Sequence, residues 1–428
     1  MPRSTKALMT HISAPVTRDD CLDADAADPL APFRSRFALP PGRIYLDGNS
    51  LGAMPVAAAE RANHVVNREW ADDLIASWNT HDWFELPTRI GDKIAKLLGG
   101  ERGGCVATDT TSINLFKALG AALRLQREAP GRRVIVTERE NFPTDLYVIE
   151  GLIDLLGGGH EVRLIDGPGD LAEALGDDVA VVLLTQVNYR TGALWDMADT
   201  TARIHAAGAL VVWDLCHSAG VVPVHLDRDG ADFAVGCTYK YLNGGPGAPA
   251  FVWVAERHLD NAVSPLTGWW GHARPFDMSP TFERADGIRG FLLGTQPILS
   301  LATMEVGIDL ALEADQDQVR RKSLALTALF MRLVGERLGH HPLELLTPGD
   351  ERRGSQVSYR HPEGFAIVNA LISLGVVGDY REPGVLRFGF APLYTSHVDV
   401  WDSVEALRRV LDDELWRDER FRRRGTVT

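Results

Sequence analysis

Between residues 133 and 254 the chain repeats one pattern: a short run of Val, Ile and Leu, a polar or glycine-bearing corner and, in several repeats, a helical stretch. The runs cover 133–137, 161–165, 179–185, 209–213, 232–237 and 250–254, with helical stretches near 145–157, 170–176 and 199–207. A strand that is apolar on both sides must be covered on both sides. This selects an α/β fold with a mostly parallel central sheet and helices on both faces. In such sheets ligands sit in the crevice beyond the carboxyl ends of the strands. Residues 41–310 are expected to form this large domain, after a loose polar arm over 1–40 that a short helix closes. A helical stretch over 298–338 leads out of it. Residues 311–428 are expected to form a smaller α+β domain, with strands near 343–346, 355–360, 376–380 and 385–390 and helices near 364–374 and 396–413.

Within that frame one lysine stands out. The chain has six lysines, at 6, 93, 96, 117, 240 and 322, and arginine supplies the other cations. Five of them read as ordinary polar or helical positions. Lys240 instead follows the apolar run Phe233–Cys237 and precedes the flexible Asn243-Gly-Gly-Pro-Gly247. Partial desolvation there is expected to lower its pKa and yield an amine able to attack an aldehyde. Upstream, the buried run 209–213 ends on Asp214, which the fold class directs into the crevice. An aldehyde-binding lysine with a strand-end aspartate suits pyridoxal phosphate. The lysine joins the aldehyde, and the aspartate keeps the ring nitrogen protonated.

Other segments fall at strand ends or helix starts. Thr108–Asn114 opens a helix to about Arg127, and its hydroxyls serve either a plain cap or a phosphate site. Asn141–Asp145 offers Phe142 to a ring face and Asp145 to a ring substituent, while Thr185 and His217 close two further corners. Each is structural when taken singly, but all share the crevice end of the sheet. The aromatic loop Ser77–Phe84 is either packing or the wall of an aryl pocket, with Trp78 its candidate. The irregular span 264–297 is a domain crossing or a subunit contact. Arg387, on an apolar strand, is either a buried ion-pair partner or a bidentate clamp on a substrate carboxylate.

The net charge of −14 argues against nucleic acid or an anionic membrane as partner. Cysteines 21, 105, 216 and 237 lie far apart with no metal-ligand spacing, as expected of reduced thiols in a cytoplasmic protein. The first twenty residues lack the apolar core of a secretory signal, and no apolar run is long enough to cross a bilayer.

Assembled, these residues resemble the kynureninases, fold-type-I pyridoxal phosphate enzymes related to the aminotransferases. The likeness rests on YLDGNSLG (45–52), TDTTSINLFK (108–117), NFPTDLY (141–147), WDLCHSAG (213–220), GCTYKYLNGGPG (236–247), GTQP (294–297) and YREPGVLRFGFAPLY (380–394). It implies that Lys240 carries the cofactor, Asp214 meets the pyridine nitrogen, and Thr111 and Ser112 hold the phosphate near Tyr239, Trp269 and Thr295. Trp269 and Thr295 would come from the second subunit of a homodimer with shared active sites. Phe142 would stack on the ring with Pro143, Thr144, Asp145, Thr185 and His217 around it, and Arg387 would bind the substrate α-carboxylate. The implied reaction is hydrolysis of L-kynurenine to anthranilate and L-alanine, with Tyr239 assisting proton transfer. 3-Hydroxykynurenine is a possible second substrate, and the setting is tryptophan breakdown or NAD biosynthesis. A cysteine desulfurase would need a mobile reactive cysteine. An aminotransferase would use the same lysine, aspartate and arginine. A non-catalytic scaffold would be expected to lose them.

Overall fold

The computed structural model describes residues 15–129 and 131–423. After the short strand β1 (Ile44–Tyr45), seven strands form the central sheet: β2 (Cys105–Ala107), β3 (Val134–Glu138), β4 (Glu161–Ile165), β5 (Val179–Thr185), β6 (Leu210–Asp214), β7 (Phe233–Gly236) and β8 (Phe251–Val254). Their order is β2-β8-β7-β6-β5-β3-β4. The pairs from β4 through β7 are parallel, and β8 runs antiparallel to both its neighbours. β8 reverses because the link from β7 carries no crossover helix, so the chain turns back beside the strand it has left.

Every residue of β5 is buried. Val182 and Leu184 join one core, and Ala180, Val181 and Leu183 join the other. Helices Leu86–Leu97, Met197–Ala206 and Ile298–Glu313 cover the first face, and Thr111–Leu125 and Pro143–Leu155 the second. Each fully buried Val or Leu contributes about 1.5–3 kcal/mol, so a strand apolar on both sides is stable only between two helical layers.

The second sheet, of β9 (Glu344–Leu345), β10 (Gln356–Arg360), β12 (Asp379–Arg381) and β13 (Val385–Gly389), is antiparallel in the order β12-β13-β10-β9. Helices Gln316–Leu338, Gly364–Ser373 and His397–Asp412 pack on it. Strand β11 (Val376–Val377) pairs in parallel with β1, so the chain just after the arm adds to this smaller layer.

Three expectations differ in detail. The 298–338 stretch is two helices, because Ala314 turns extended and Asp315 caps the second by accepting Gln318 N–H at 3.0 Å. The sequence also carries a helical pattern over about 56–76, but the α-helix runs only Val56–His64, passes into a wider turn over Val65–Trp70, and breaks at Leu74, whose φ is 50°. The described part of the arm is docked, not loose. Asp25 accepts the first N–H groups of the His397–Asp412 helix, and Asp28 pairs with buried Lys322 at 2.6 Å. Residues 1–14 lie outside the described residues.

Candidate active site

The parallel strands deliver their carboxyl ends to one crevice. Asp214, the last residue of β6, is 3% exposed and accepts the Cys216 N–H at 2.6 Å. Beside it Asp145, in the first turn of the Pro143–Leu155 helix, accepts from Thr185 at the end of β5 at 3.2 Å, and Thr185 also bonds Asn141. The two carboxyls are close enough to shift each other's proton affinity. Burial and then the Asp214 charge push Asp145 well above the ordinary carboxylate range. Burial raises Asp214 as well, but the Cys216 N–H and the Lys240 charge oppose it. The shared proton therefore sits on Asp145 and leaves Asp214 the anion.

Lys240 lies in the turn after β7, its Nζ 2.9 Å from His217 Nε2. Gly52 packs beneath it: the Gly52 N–H donates to Tyr239 O at 2.7 Å, and a Cβ there would stand 2.2 Å from Lys240 O. His217 is 4% exposed. Burial, then the charges of Lys240, Arg387 and Arg381, hold its pKa well below the ordinary histidine value, so the ring is neutral. Its Nε2 accepts from the lysine, while Nδ1 is buried without a partner.

Burial does not single out Lys240, contrary to the expectation from sequence. Lys117 and Lys322 are buried and Lys240 is only half-buried. The partner distinguishes them. Lys117 is 2.7 Å from Asp109 and Lys322 is 2.6 Å from Asp28, whereas Lys240 faces a neutral imidazole. Carboxylates hold the Lys117 and Lys322 ammoniums in ion pairs, whereas among the described residues no carboxylate pairs with Lys240.

Thr111 and Ser112, half-buried, are the first residues of the Thr111–Leu125 helix, which Thr110 caps. Thr111 Oγ1 lies 3.7 Å from Cys216 Sγ, so this helix start abuts the Asp214 corner. Lys117, two turns in, bonds both Asp109 and Phe291 O at 2.7 Å, tying the turn before the helix to the 291–296 segment. Phe142 is 41% exposed and meets Tyr189 edge-on at 5.2 Å, and Pro143 and Thr144 follow it into the helix. The Tyr239 ring centre lies 6.0 Å from Lys240 Nζ, and burial raises its phenol above the ordinary value.

Other candidates stand apart in this chain. Trp269 is 39% exposed and packs on Trp270 and Phe276, and Thr295 is exposed. Trp78 sits between Trp83 at 5.6 Å and Trp270 at 5.1 Å, the packing alternative for the aromatic loop. Arg387 is buried, and its Nε–Nη2 edge is taken by Asp379, with Nε at 2.7 Å from Oδ1. Its Nη1 donates to Tyr189 O at 2.7 Å and its Nη2 to Ser50 at 3.1 Å, which leaves one Nη1 N–H for a further carboxylate unless Ser50 yields its place. Asp379, Arg381, Asp47, Lys117 and Asp109 escaped the sequence reading. The Asp379 partnership was available from strand pairing, since Asp379 and Arg387 face each other across β12 and β13.

These residues fit a flat aldehyde phosphate. They present a reactive amine, a buried carboxylate with no cation in ion-pair reach among the described residues, an unpartnered imidazole nitrogen, and hydroxyls at a helix N-terminus. Fold and site together define a pyridoxal phosphate enzyme of the class-V aminotransferase kind. The Aminotransferase class-V profile matches residues 160–359. The cysteine desulfurase CsdA of Escherichia coli superposes with a TM-score of 0.75 at 20% identity, covering 90% of this chain and 98% of that one. A C-DES variant with glycine covalently linked to its PLP cofactor gives 0.77 at 16% identity over 88% and 98%. The Kynureninase C-terminal domain profile matches residues 319–407. Kynureninase of Burkholderia pseudomallei (strain 1106a) is 58% identical over 414 residues, covering 96% of this chain and all of the relative, and that of Pseudomonas fluorescens is 56% identical over the same shares. The chain belongs to the kynureninase family, and its cofactor is pyridoxal phosphate.

Proposed function

We propose that this protein hydrolyses L-kynurenine to anthranilate and L-alanine, consuming one water and breaking the Cβ–Cγ bond. The observation that carries this is the 58% identity to a kynureninase over 96% of the chain. Bound pyridoxal phosphate supplies an aldehyde that an amine can hold and a ring that withdraws electrons from the adjoining carbon. Thr111 and Ser112 grip its phosphate at the helix N-terminus, and Phe142, Pro143, Thr144, Thr185 and His217 flank the ring. Asp214, the ionised member of the carboxyl pair, holds the ring-nitrogen proton.

Once the substrate amino group is held at the aldehyde, the Lys240 amine would be the base that takes the Cα proton. Water then adds to the γ-carbonyl. The Cβ–Cγ electron pair passes to Cβ, which is protonated to become the alanine methyl group, the hydrated carbonyl leaves as the anthranilate carboxylate, and Lys240 returns the Cα proton. Tyr239, whose phenol burial keeps protonated, assists proton transfer at that step. Arg387 meets the α-carboxylate on the edge that Asp379 leaves, and Trp78, packed between Trp83 and Trp270, is the candidate for a wall of the aryl end. The exposed Trp269 and Thr295 complete the neighbouring site in a homodimer. The same pocket takes 3-hydroxykynurenine, a substrate larger by one ring hydroxyl.

The working division is a cofactor domain over 41–310 and a smaller domain over 311–428, with the described part of the arm, 15–40, lying on the latter. Four buried free thiols support a reducing cytoplasmic setting, and among the described residues no helix is long and apolar enough to cross a membrane. The same buried thiols disfavour desulfurase chemistry, which needs an accessible cysteine. Purified holoenzyme given L-kynurenine should release fluorescent anthranilate. Keto acid from an amino donor without anthranilate would replace hydrolysis by transamination, and failure to hold the cofactor would favour a scaffold. Comparing kcat/KM for the two substrates tests the ring-hydroxyl preference.

A further inference from the structure

Two arginines and two aspartates meet beside Ser50, and Asp379 takes most of the donors. Asp379 accepts Arg387 Nε at 2.7 Å and also its Nη2, Arg381 Nη2 at 2.8 Å and Ser50 Oγ at 2.7 Å. With those donors committed, Asp47 Oδ1 is buried without any partner. The groups facing Asp47 are Asp379, Ser50, Arg387 and Arg381, together with the phenols of Tyr45, Tyr241 and Tyr394, which burial keeps protonated. With Asp47 ionised the cluster holds two cations and two anions. A substrate carboxylate arriving at Arg387 would be a third anion in a largely buried cluster, which is costly unless a proton comes with it.

We propose that Asp47 takes up a proton when the substrate carboxylate binds, so that the carboxylate enters without leaving net negative charge. The ligand's identity rests on the kynurenine reading, but the proton uptake does not. Burial and Asp379 already bring Asp47 up to about 7 in the free protein, and an added anion pushes in the same direction. Below that value Asp47 is already neutral and binding is tightest. Above it, affinity falls by up to about tenfold per pH unit.

The test uses holoenzyme and 4-(2-aminophenyl)-4-oxobutanoate, the substrate lacking its amino group, so that Lys240 is not displaced. Calorimetric titration near pH 7.5 in two buffers of different ionisation heat should show uptake of roughly 0.7 proton per site, the ionised fraction of a group at about 7. Asp47→Asn should take up none and show a flat Kd from about pH 6.5 to 8.5. No uptake by the parent, or undiminished uptake by the variant, overturns the proposal. If the variant does not fold, the parent's Kd decides: a rise above about pH 7 supports the proposal and a flat profile overturns it. Anthranilate release from kynurenine, followed alongside, separates failure of the assigned reaction from failure of the proton uptake.

Discussion

Asp214→Asn keeps the size of the side chain and an oxygen for the Cys216 N–H, 2.6 Å away in the parent, but removes the charge. A hydrogen bond to a charged group contributes about 1.5–3 kcal/mol. A pair of unit charges about 4 Å apart at an effective dielectric near 20 interacts by about 4 kcal/mol, an overlapping measure of the same contact. A loss of about 3–4 kcal/mol in the transition state lowers kcat by about 10²–10³-fold. The Asp214 carboxylate is one cause of the raised Asp145 pKa, so removing it lets Asp145 ionise more readily. Residual activity should therefore climb with pH as Asp145 loses its proton, and adding Asp145→Asn should abolish that climb. Cofactor content is read by absorbance and kcat by anthranilate fluorescence across pH. A single variant within about threefold of the parent would refute the electronic role of Asp214.

Arg387→Lys cannot reproduce the fork that holds Asp379, so KM for kynurenine should rise about 10- to 100-fold with a smaller change in kcat; unchanged kinetics would remove the clamp. Lys117→Met leaves Asp109 and Phe291 O without their buried cation, and Kd for pyridoxal phosphate should rise at least about tenfold. Kd for pyridoxal, which lacks the phosphate, should change less, and equal shifts for both would show general loosening. Asp232 is held below the carboxylate range against burial by His205, His258 and the Val211 N–H. A carboxylate with a lowered folded-state pKa stabilises the protein above the unfolded value and loses that contribution as pH falls. Asp232→Asn should therefore cost about 3 kcal/mol in denaturant unfolding at neutral pH, a gap that narrows below about pH 4; a pH-independent gap would contradict the linkage.

The sheet was legible because β3, β5, β6 and β7 are apolar on both sides, and only a doubly covered sheet tolerates that. The crevice residues were legible because they follow those strands directly. What sequence hid depends on distant partners. The burial of Lys117 and Lys322 arises from Asp109 and Asp28, and the docking of the arm arises from Asp25 meeting the His397 helix start. Periodicity also carries no sign of strand direction, so the antiparallel β8 was not foreseen. The break at Ala314 fell inside an otherwise helical pattern, marked only by the capping Asp315.

The account stands on Lys240 being the amine that holds the cofactor aldehyde, although the described residues include two more deeply buried lysines. Reducing the holoenzyme with borohydride and mapping the modified peptide by mass spectrometry tests this directly. The account predicts a pyridoxyl group on Lys240 and none on Lys117 or Lys322, whose ammoniums are paired with carboxylates. A pyridoxyl group on either of those, with Lys240 unmodified, would contradict it.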